Sequence, residues 1–466
     1  MDKQHLHPLK KTCLAISIIK ALAISPSFAA TIVVDSSGES GTACSLRNAV
    51  ESINISQNVG GCVAINDFGT DDIINFSVST VNIQDTELRI INDVSINPGG
   101  NFLTINANAF SRVLSISNSA VTIENLIVSG GQSSANSDGG GISARDSQLT
   151  LQNVVLRNNT ADDDGGGLYA EDCQVFINDS QIINNNADDG GGLYVRDSNV
   201  TIRDSIISGN TTVTIGDDGG GLYARSGTVS VTNTTISDNS ADDDGGGIFV
   251  RESIFTFSNS TLSGNRADDD GGGINVGFSA NASIIHSTLA NNSADRVGGG
   301  IAVASGSLTL SNSLIVGNSA GDGVLSTDDI NLSVVGSLNF LGVNLVGDSS
   351  KSESEAFNFS PQNSVILATS DSRQATPLTS IIAPLTTSPL RTGDQVTPTH
   401  ALVSGSPAID AANNNICSAS PINTKDQRRL QRTELCDIGA FEFGATKFRN
   451  TFTAPPILFL LLNEQH

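Results

Sequence analysis

The stretch that decides the fold is residues 190–210, GGGLYVRDSNVTIRDSIISGN. Its apolar residues alternate, since Leu193 and Val195 share one face of an extended chain while Tyr194 and Arg196 share the other. Alternation with a period of two predicts short β-strands. Two more short runs follow after Asp-Ser turns, and they contribute the apolar residues Val200, Ile202 and Ile207. The segment therefore predicts three short strands and shows no helical periodicity.

This segment is one copy of a repeat. Gly triplets open the copies at steps of 26, 25, 29, 26, 26 and 27 residues, beginning at Gly139, Gly165, Gly190, Gly219, Gly245, Gly271 and Gly298. In the same phase, an Asn follows an apolar residue by three positions, at Asn159, Asn185, Asn210, Asn239, Asn265, Asn292 and Asn318. Self-similarity at a period of this size predicts a solenoid or a propeller.

A parallel β-helix fits a repeat of about 26 residues with three strands. A propeller blade needs four strands and about 40 residues or more, and the spacing of a leucine-rich repeat is missing. In a β-helix each strand pairs with its copies in the neighbouring coils, about 4.8 Å away, so equivalent side chains stack in columns. We therefore expect the Asn series to form an internal amide ladder. Less regular coils before the triplets extend the predicted all-β solenoid to residues 72–345.

The composition suits a thin, repetitive core and excludes some functions. The chain has 466 residues, of which 46 are Gly and 38% are hydrophobic, and its formal net charge is −24. Binding to nucleic acid needs a basic face, so nucleic acid is not an expected partner. After the N-terminus no run of about 18 apolar residues occurs, so we expect no membrane-spanning helix in the mature chain.

The N-terminus has the order of a secretory signal. A basic pair, Lys10-Lys11, precedes an apolar stretch over residues 14–24, and small residues follow it. This order predicts a signal peptide at residues 1–30, with a buried N-terminal helix as the alternative. We therefore expect a protein that is secreted or displayed on a cell surface.

Cysteines bracket short segments at both ends of the predicted solenoid. Cys44 and Cys62 form the N-terminal pair and Cys417 and Cys436 the C-terminal pair, and each pair would close a loop of roughly 20 residues. Disulfides are typical of exported proteins, and here they would stabilise the caps that solenoid ends need. Cys173 takes a place that Ser fills in neighbouring repeats, so we interpret it as a structural residue rather than a reactive thiol.

Several motifs resemble those of exported bacterial β-helix proteins. Residues 44–49, CSLRNA, resemble the Cys-Ser-Leu-Arg-Glu-Ala motif that opens a class of these proteins, with Asn48 in place of Glu. The triplet and Asn markers are similar to the repeats of polymorphic outer-membrane proteins. The C-terminal part resembles the choice-of-anchor Q domain through four motifs in order, at residues 398–402, 405–410, 426–428 and 436–442. The resemblance implies a right-handed parallel β-helix and secretion or surface display, and it implies no catalytic residue.

Together these features divide the chain into five expected parts. They are a signal peptide at 1–30, an N-terminal cap at 31–71, the β-helix at 72–345, a choice-of-anchor Q-like cap region at 346–443 and a tail at 444–466. The tail has an apolar run that is too short to span a membrane. The route of anchoring is therefore left open, and simple secretion is an alternative.

An acidic series precedes the Gly triplets and is a candidate metal site. Its members are Asp163, Asp164, Asp188, Asp189, Asp217, Asp218, Asp243, Asp244, Asp269 and Asp270. Stacking would bring carboxylates of adjacent coils to about 5 Å, where each like-charge pair costs about 3.5 kcal/mol at an effective dielectric near 20. Ca²⁺, which prefers oxygen ligands, would offset that repulsion. The alternative is a solvated acidic edge with diffuse counterions.

An aromatic series follows the triplets and is a candidate binding surface. The aromatic residues share one position of the repeat and are followed two residues later by Arg in three of four cases. The members are Tyr169, Tyr194, Tyr223 and Phe249, with Arg196, Arg225 and Arg251. We expect the rings to face outward and to form a stripe that binds sugar rings or a partner protein. The alternative is that the rings only cover one another, as cross-strand pairs do.

The repetition of these features favours a binding protein over an enzyme. Each acidic pair and each Arg occurs in several successive repeats, whereas a catalytic site is normally a single irregularity. His286 is such a singleton, but it has no matching acid in the sequence, and we interpret it as a turn residue. We therefore expect a non-catalytic adhesin or matrix module that binds an extracellular glycan or a surface protein. A polysaccharide lyase or glycoside hydrolase is the alternative.

Overall fold

The protein is a parallel β-helix, seen in a computed structural model that describes residues 29–39, 42–321, 327–360, 364–386 and 397–445. A full coil passes through three parallel sheets in turn, which we call sheets C, A and B. The expected signal peptide at 1–30 and tail at 444–466 lie almost wholly outside the described residues. The predicted solenoid of stacked coils is confirmed.

Sheets A and B have 12 strands each within the described residues. The strands of sheet A are Thr31–Val34, Asp72–Phe76, Val94–Ile96, Ala120–Glu124, Gln148–Gln152, Gln174–Asn178, Asn199–Arg203, Thr228–Thr232, Ile254–Ser258, Asn281–Ile285, Ser307–Ser311 and Ser337–Leu341. The strands of sheet B are Thr80–Asn82, Leu103–Asn106, Leu126–Ser129, Val155–Arg157, Gln181–Ile183, Ile206–Ser208, Thr235–Ser237, Thr261–Ser263, Thr288–Ala290, Leu314–Val316, Asn344–Val346 and Val365–Leu367.

Sheet C has 10 strands in the same part of the chain. They are Leu88–Ile90, Leu114–Ser117, Ile142–Arg145, Leu168–Glu171, Leu193–Arg196, Leu222–Arg225, Ile248–Arg251, Ile274–Val276, Ile301–Val303 and Ile330–Leu332. A fourth sheet of two-residue strands joins sheet B to sheet C in the central coils and comprises Asn186–Ala187, Thr211–Thr212, Ser240–Ala241, Arg266–Ala267, Ser293–Ala294 and Ser319–Ala320. The remaining described elements are the antiparallel pair Ile382–Leu385 and His400–Leu402, the α-helices Leu46–Ile55, Glu353–Ala356 and Asn414–Ser418, and the 3₁₀ helix Leu378–Ser380.

Residues at equivalent positions of the repeat lie directly above one another. Leu193 pairs in register with Leu168 on one side and Leu222 on the other. One face of each strand points into the solenoid, and its residues form a continuous hydrophobic core that includes Leu193, Val195 and Val200. Burial of these small aliphatic side chains in every coil supplies the apolar area that a thin core needs.

The Asn series forms the predicted internal ladder. From Asn159 to Asn318, each side-chain Nδ2 donates to Oδ1 of the next Asn across 2.8–3.0 Å. The same Oδ1 also accepts the backbone N–H of the preceding Asn, as Asn210 does for Asn185 at 3.0 Å. Because the members are almost fully buried, this complete pairing satisfies groups that would otherwise be costly to desolvate.

The ladder ends on a buried ion pair. Asn318 Nδ2 donates to Oδ1 of Asp329 at 2.8 Å, and Asp329 Oδ2 lies 3.8 Å from the Nζ of Lys351. Burial raises the pKa of Asp329 to about 6, although Lys351 opposes that shift. An acid thus replaces the next Asn and terminates the column against an ammonium group.

The N-terminal end carries a short helical cap. The helix Leu46–Ile55 begins at Ser45, whose side chain accepts the N–H of Asn48, and buries Leu46 and Ile53. The predicted bond between Cys44 and Cys62 is present beside it. First-turn capping and an apolar face therefore fix this helix over the first coils.

The C-terminal segment folds back along the flank of the solenoid. Thr397 Oγ1 donates to the carbonyl of Asn233 at 2.9 Å, and Gln427 Nε2 donates to Thr235 Oγ1 at 2.9 Å. Apolar residues of the segment also pack on the outer face of sheet B, where they form a second hydrophobic cluster. The predicted bond between Cys417 and Cys436 is present in this segment.

His286 and Cys173 have structural environments. His286 has a φ of 46°, which places it in a turn as predicted, and it is fully buried against the C-terminal segment. Burial, with Arg432 nearby, holds the pKa of His286 well below its usual value. Cys173 is buried, and its backbone N–H donates to Ser198 Oγ at 2.9 Å. In the described residues, no helix is long and apolar enough to cross a membrane.

Candidate functional site: acidic columns on the outer face of sheet C

The loop before each strand of sheet C folds back onto that strand because it carries a Gly triplet. Gly190 adopts a φ of 62°, which favours glycine, and a Cβ there would lie 2.5 Å from the carbonyl oxygen of Leu193. At Gly191 a Cβ would lie 2.3 Å from the carbonyl oxygen of Thr211. No other residue type fits so close to two backbones, so each triplet lays its loop flat over the outer face of sheet C.

The Asp immediately before each triplet forms a column that we call the inner acidic column. Its members are Asp138, Asp164, Asp189, Asp218, Asp244 and Asp270. Asp189 Oδ1 accepts the backbone N–H of Asp218 at 2.8 Å, and Asp218 Oδ1 accepts that of Asp244 at 3.1 Å. These carboxyl groups therefore connect successive coils and lie in one line.

The preceding Asp forms a second line, the outer acidic column. Its members are Asp163, Asp188, Asp217, Asp243 and Asp269. Backbone hydrogen bonds hold them in register. The N–H of Asp188 donates to the carbonyl of Asp163 at 2.8 Å, and the N–H of Asp243 donates to the carbonyl of Asp217 at 3.0 Å. The structure thus brings together all ten of the acids predicted from the sequence.

Burial and mutual repulsion disfavour the charged form of the inner acidic column. The pKa values are raised to about 8 for Asp164, about 6 for Asp189, about 8 for Asp218, about 7 for Asp244 and about 6 for Asp270, with burial as the largest cause in each. Neighbouring carboxylates raise these values further. Burial also raises the pKa of Asp163, Asp217 and Asp243 in the outer acidic column. The two columns therefore need protons or cations to offset their charge.

Arginines neutralise the ends of the columns. Arg145 pairs with Asp138 at one end, and Arg296 pairs with Asp269 and Asp270 at the other. Among the described residues, no Lys or Arg lies within ion-pairing distance of Asp189 or Asp218 in the middle. The excess negative charge is concentrated in the central coils.

Two groups of carboxylates have the spacing that a metal ion needs. In Asp138, Asp163 and Asp164, and again in Asp243, Asp244 and Asp269, one oxygen from each residue lies within 4.8 Å of the others. Asn275, which pairs in register with Phe249, is fully buried, and neither its Oδ1 nor its Nδ2 has a hydrogen-bond partner in the described part of the chain. Acidic groups in this arrangement could hold a metal ion.

The aromatic series is stacked as predicted, but the expectation that it faces solvent is wrong. Tyr169, Tyr194, Tyr223 and Phe249 form a column with ring centroids 5.4, 4.8 and 4.9 Å apart. Their exposed fractions are only 3%, 2%, 3% and 8%. The Gly-triplet loops cover them, since a Cβ at Gly219 would lie 3.0 Å from Tyr223 Cβ. These rings form a third, small hydrophobic cluster between sheet C and the loops and offer no stripe for sugar rings.

The three arginines predicted to accompany the rings remain half exposed. Arg196, Arg225 and Arg251 lie in register in successive coils, and the side chains of Arg196 and Arg251 are 42% and 43% exposed. Burial raises the pKa of Tyr194 to about 12, and the guanidinium of Arg225 beside its hydroxyl opposes that rise. This arginine column runs alongside the acidic columns, because Arg145, two coils before Arg196 in the same line, reaches Asp138.

Sequence reasoning missed residues that complete the site. Asp138 belongs to the inner acidic column and was signalled by its place before Gly139, although no second Asp precedes it. Arg145 occupies the register position that Glu171 and Arg196 take in the next coils. Arg296 stands where the outer acidic column would continue, because its N–H donates to the carbonyl of Asp269 at 3.0 Å.

Comparison with known proteins identifies the architecture. The family model described as the right handed beta helix region matches residues 92–250 and 212–338, which together span more than half of the chain. Among solved structures, the crystal structure of pectate lyase Pel9A is similar, with a TM-score of 0.45 and 13% sequence identity over 88% of this chain and 96% of that one. No curated protein matches the sequence.

Proposed function

Because the chain belongs to the right-handed β-helix family, whose fold serves many functions, we propose its function from the acidic columns rather than from the fold. We propose that it is an exported, non-catalytic adhesion protein that holds Ca²⁺ on these columns and attaches through it to acidic extracellular glycans. The observation that carries the proposal is the continuous pair of acidic columns. Two groups of three carboxylates in them have the spacing of metal ligands, and the described residues place no Lys or Arg within ion-pairing distance of their middle, at Asp188, Asp189, Asp217 and Asp218.

Ca²⁺ fits the chemistry of the columns. It takes six to eight oxygen ligands, and carboxylates are its usual protein ligands. Paired acids of the inner and outer columns supply only part of that set in any one coil. The open positions of a bound ion would accept carboxylate or hydroxyl oxygens of a glycan. The neighbouring arginine column, at Arg196, Arg225 and Arg251, supplies half-exposed guanidinium groups that also favour an anionic partner.

Repetition supports binding rather than catalysis. The same acids recur coil after coil in the same environment, which suits attachment of a repeating polymer along the solenoid. The two histidines among the described residues, His286 and His400, are buried where the C-terminal segment packs on the solenoid, and burial lowers the pKa of both. They therefore stand away from the acidic columns.

Export and surface display rest on the sequence. The signal peptide proposed at residues 1–30, the cap disulfides and the resemblance of residues 398–442 to a choice-of-anchor Q domain support a secreted or bacterial cell-surface location. We also propose the five-part division of the chain on these grounds, with the β-helix at 72–345 between two cap regions.

A retention assay tests the proposed function. The protein lacking residues 1–30 is applied to immobilised polygalacturonate and alginate, with Ca²⁺ and then with chelator. We expect retention in Ca²⁺, its loss in chelator, and at least tenfold weaker binding by the variant Asp188→Asn/Asp217→Asn. The matched control is Asp146→Asn/Asp172→Asn, which removes the same charge from a different corner of the coils and should bind normally.

Two outcomes would overturn the proposal. One is the absence of retention, or retention that neither chelator nor the Asp188→Asn/Asp217→Asn variant changes. The other is the release of unsaturated products or reducing ends from the same polysaccharides. That result would favour the alternative function, a polysaccharide lyase or glycoside hydrolase.

A further inference from the structure

A groove of about 800 Å³ lies on the flank of the solenoid, N-terminal to the acidic columns. It is lined by the turn at residues 85–87, the turn at 109–112 and the loop at 132–137, together with Asp162. Its volume falls within the range of about 300–1,000 Å³ that is typical of small-molecule clefts. We call it the Phe110 groove.

The groove lies where the coils that lack a Gly triplet meet the first coil that has one. Leu114 pairs in register with Ile142, so Arg112, two residues earlier, stands level with Gly140. At Gly140 a Cβ would lie 2.3 Å from the carbonyl oxygen of Thr160. A loop with Arg at that level cannot fold flat over sheet C as the later loops do. The raised loop at Arg112 therefore stands beside the first flat loop, and the groove is the opening between them.

Phe110 is held in the wall of the groove with its ring in solvent. Its side chain is 66% exposed. The two residues before it, Asn108 and Ala109, both adopt positive φ angles, 51° and 61°. Ala109 N–H donates to the carbonyl of Gly130 at 2.7 Å, and Phe110 N–H donates to the carbonyl of Ala107 at 3.0 Å. The chain thus accepts backbone strain that presents an apolar ring to water.

The polar lining is held rigidly and is net acidic. Arg112 pairs with Glu87 at 2.5 Å, and its Nε donates to the carbonyl of Gly139 at 2.8 Å. Asp162 Oδ2 accepts the backbone N–H of Asn136 at 2.6 Å. With Asp85 also in the lining, three carboxylates face one guanidinium that is already paired. An anionic ligand would be repelled, whereas hydroxyl groups could donate to the carboxylates.

We infer that the Phe110 groove binds a neutral oligosaccharide, with the C–H face of one sugar ring on Phe110 and its hydroxyl groups on the carboxylates and serine hydroxyls around it. This site adjoins the N-terminal end of the acidic columns, since Asp162 directly precedes Asp163, but it differs from them in ligand, because it needs neither Ca²⁺ nor a charged sugar. It therefore goes beyond the proposed function and does not depend on it.

Titration of the protein without residues 1–30 tests this inference. Cellotetraose, xylotetraose and chitotetraose are added in chelator, and binding is followed by calorimetry and by saturation-transfer NMR. We expect one or more of them to bind, Phe110→Ala to weaken that binding at least tenfold, and Phe110→Trp to retain it. The matched control is Phe278→Ala, which removes a ring that is 62% exposed but lies outside the groove.

The inference is overturned if none of the three oligosaccharides binds, if Phe110→Ala binds as well as the unaltered chain, or if Phe278→Ala weakens binding equally. Thermal unfolding of each variant shows that it is folded. Retention on polygalacturonate in Ca²⁺ is measured on Phe110→Ala in parallel. Its persistence separates failure of the groove from failure of the proposed function.

Discussion

The backbone N–H of Asp218 donates to Oδ1 of Asp189 across 2.8 Å. This bond joins two successive coils through a carboxylate that burial and its neighbours push toward the protonated form. The acidic columns therefore connect the coils through hydrogen bonds, and at the same time their negative charge destabilises the fold. Protons or divalent cations that relieve the charge should stabilise the coils.

Stability without divalent cations should fall as the pH rises. The inner acidic column has pKa values of about 6 to about 8, above the usual Asp value of 3.8. The folded state therefore binds more protons than the unfolded state, so the stabilisation is complete below about pH 4 and is lost as the pH rises through 6 to 8. We expect a lower melting temperature at pH 8 than at pH 5 in chelator.

The variant Asp218→Asn provides the control for this pH effect. An amide keeps an oxygen that accepts the N–H of Asp244 but cannot ionise, so the loss of stability between pH 5 and pH 8 should be smaller. A melting temperature that stays constant or rises over this range in the unaltered protein would contradict the raised pKa values.

Removal of a ring from the aromatic column should destabilise the fold without affecting glycan binding. Tyr194 is 2% exposed and stacks on both Tyr169 and Tyr223. Tyr194→Ala should cost about 3 kcal/mol or more in the free energy of unfolding, because it leaves a cavity between sheet C and the loops. Tyr194→Phe should cost about 1 kcal/mol or less, because it keeps the stacked ring and loses only the polar contact of the hydroxyl with Arg225. Chemical denaturation measures both. If the folded Tyr194→Ala variant were retained more weakly on polysaccharide than the unaltered protein, the claim that the rings do not bind glycan would be wrong.

The Asn ladder should be intolerant of substitution at its centre. Asn239 Nδ2 donates to Asn265 Oδ1 at 2.9 Å and to the carbonyl of Ile207 at 3.1 Å, and its Oδ1 accepts two N–H groups of Asn210. Asn239→Ala leaves buried partners unsatisfied and should cost about 3 kcal/mol or more. The matched control is Asn281→Ala at an exposed strand end, which should cost about 0.5 kcal/mol or less. Equal costs for the two variants would mean that the ladder does not stabilise the interior.

Much of the fold could be predicted because its information lies in the period of the repeat. Once the coils stack, the neighbours of a residue such as Asn210 are the residues at the same position of the adjacent repeats. Stacking of equivalent positions likewise predicted that Asp189 and Asp218 lie next to each other. Both disulfides followed from the two segments that their cysteines bracket. These are local or periodic properties, which a single sequence carries directly.

The exposure of the rings could not be predicted in the same way. Alternation places Tyr194 on the outer side of sheet C, but whether a loop covers it depends on the path that Gly190 and Gly191 allow. The Phe110 groove was missed because the coil that contains Arg112 lacks the Gly triplet of the later coils, and a repeat pattern carries no information about a coil that does not follow it. The packing of the C-terminal segment along the flank depends on contacts between residues far apart in sequence, such as Thr397 and Asn233.

The most direct measurement of the central claim is the melting temperature of the protein without residues 1–30 in millimolar Ca²⁺ and in chelator at pH 8. The account predicts that Ca²⁺ raises it by about 5 °C or more, that Asp188→Asn/Asp217→Asn loses most of this increase, and that Asp146→Asn/Asp172→Asn keeps it. Identical melting temperatures with and without Ca²⁺ would contradict the claim that the acidic columns hold the ion.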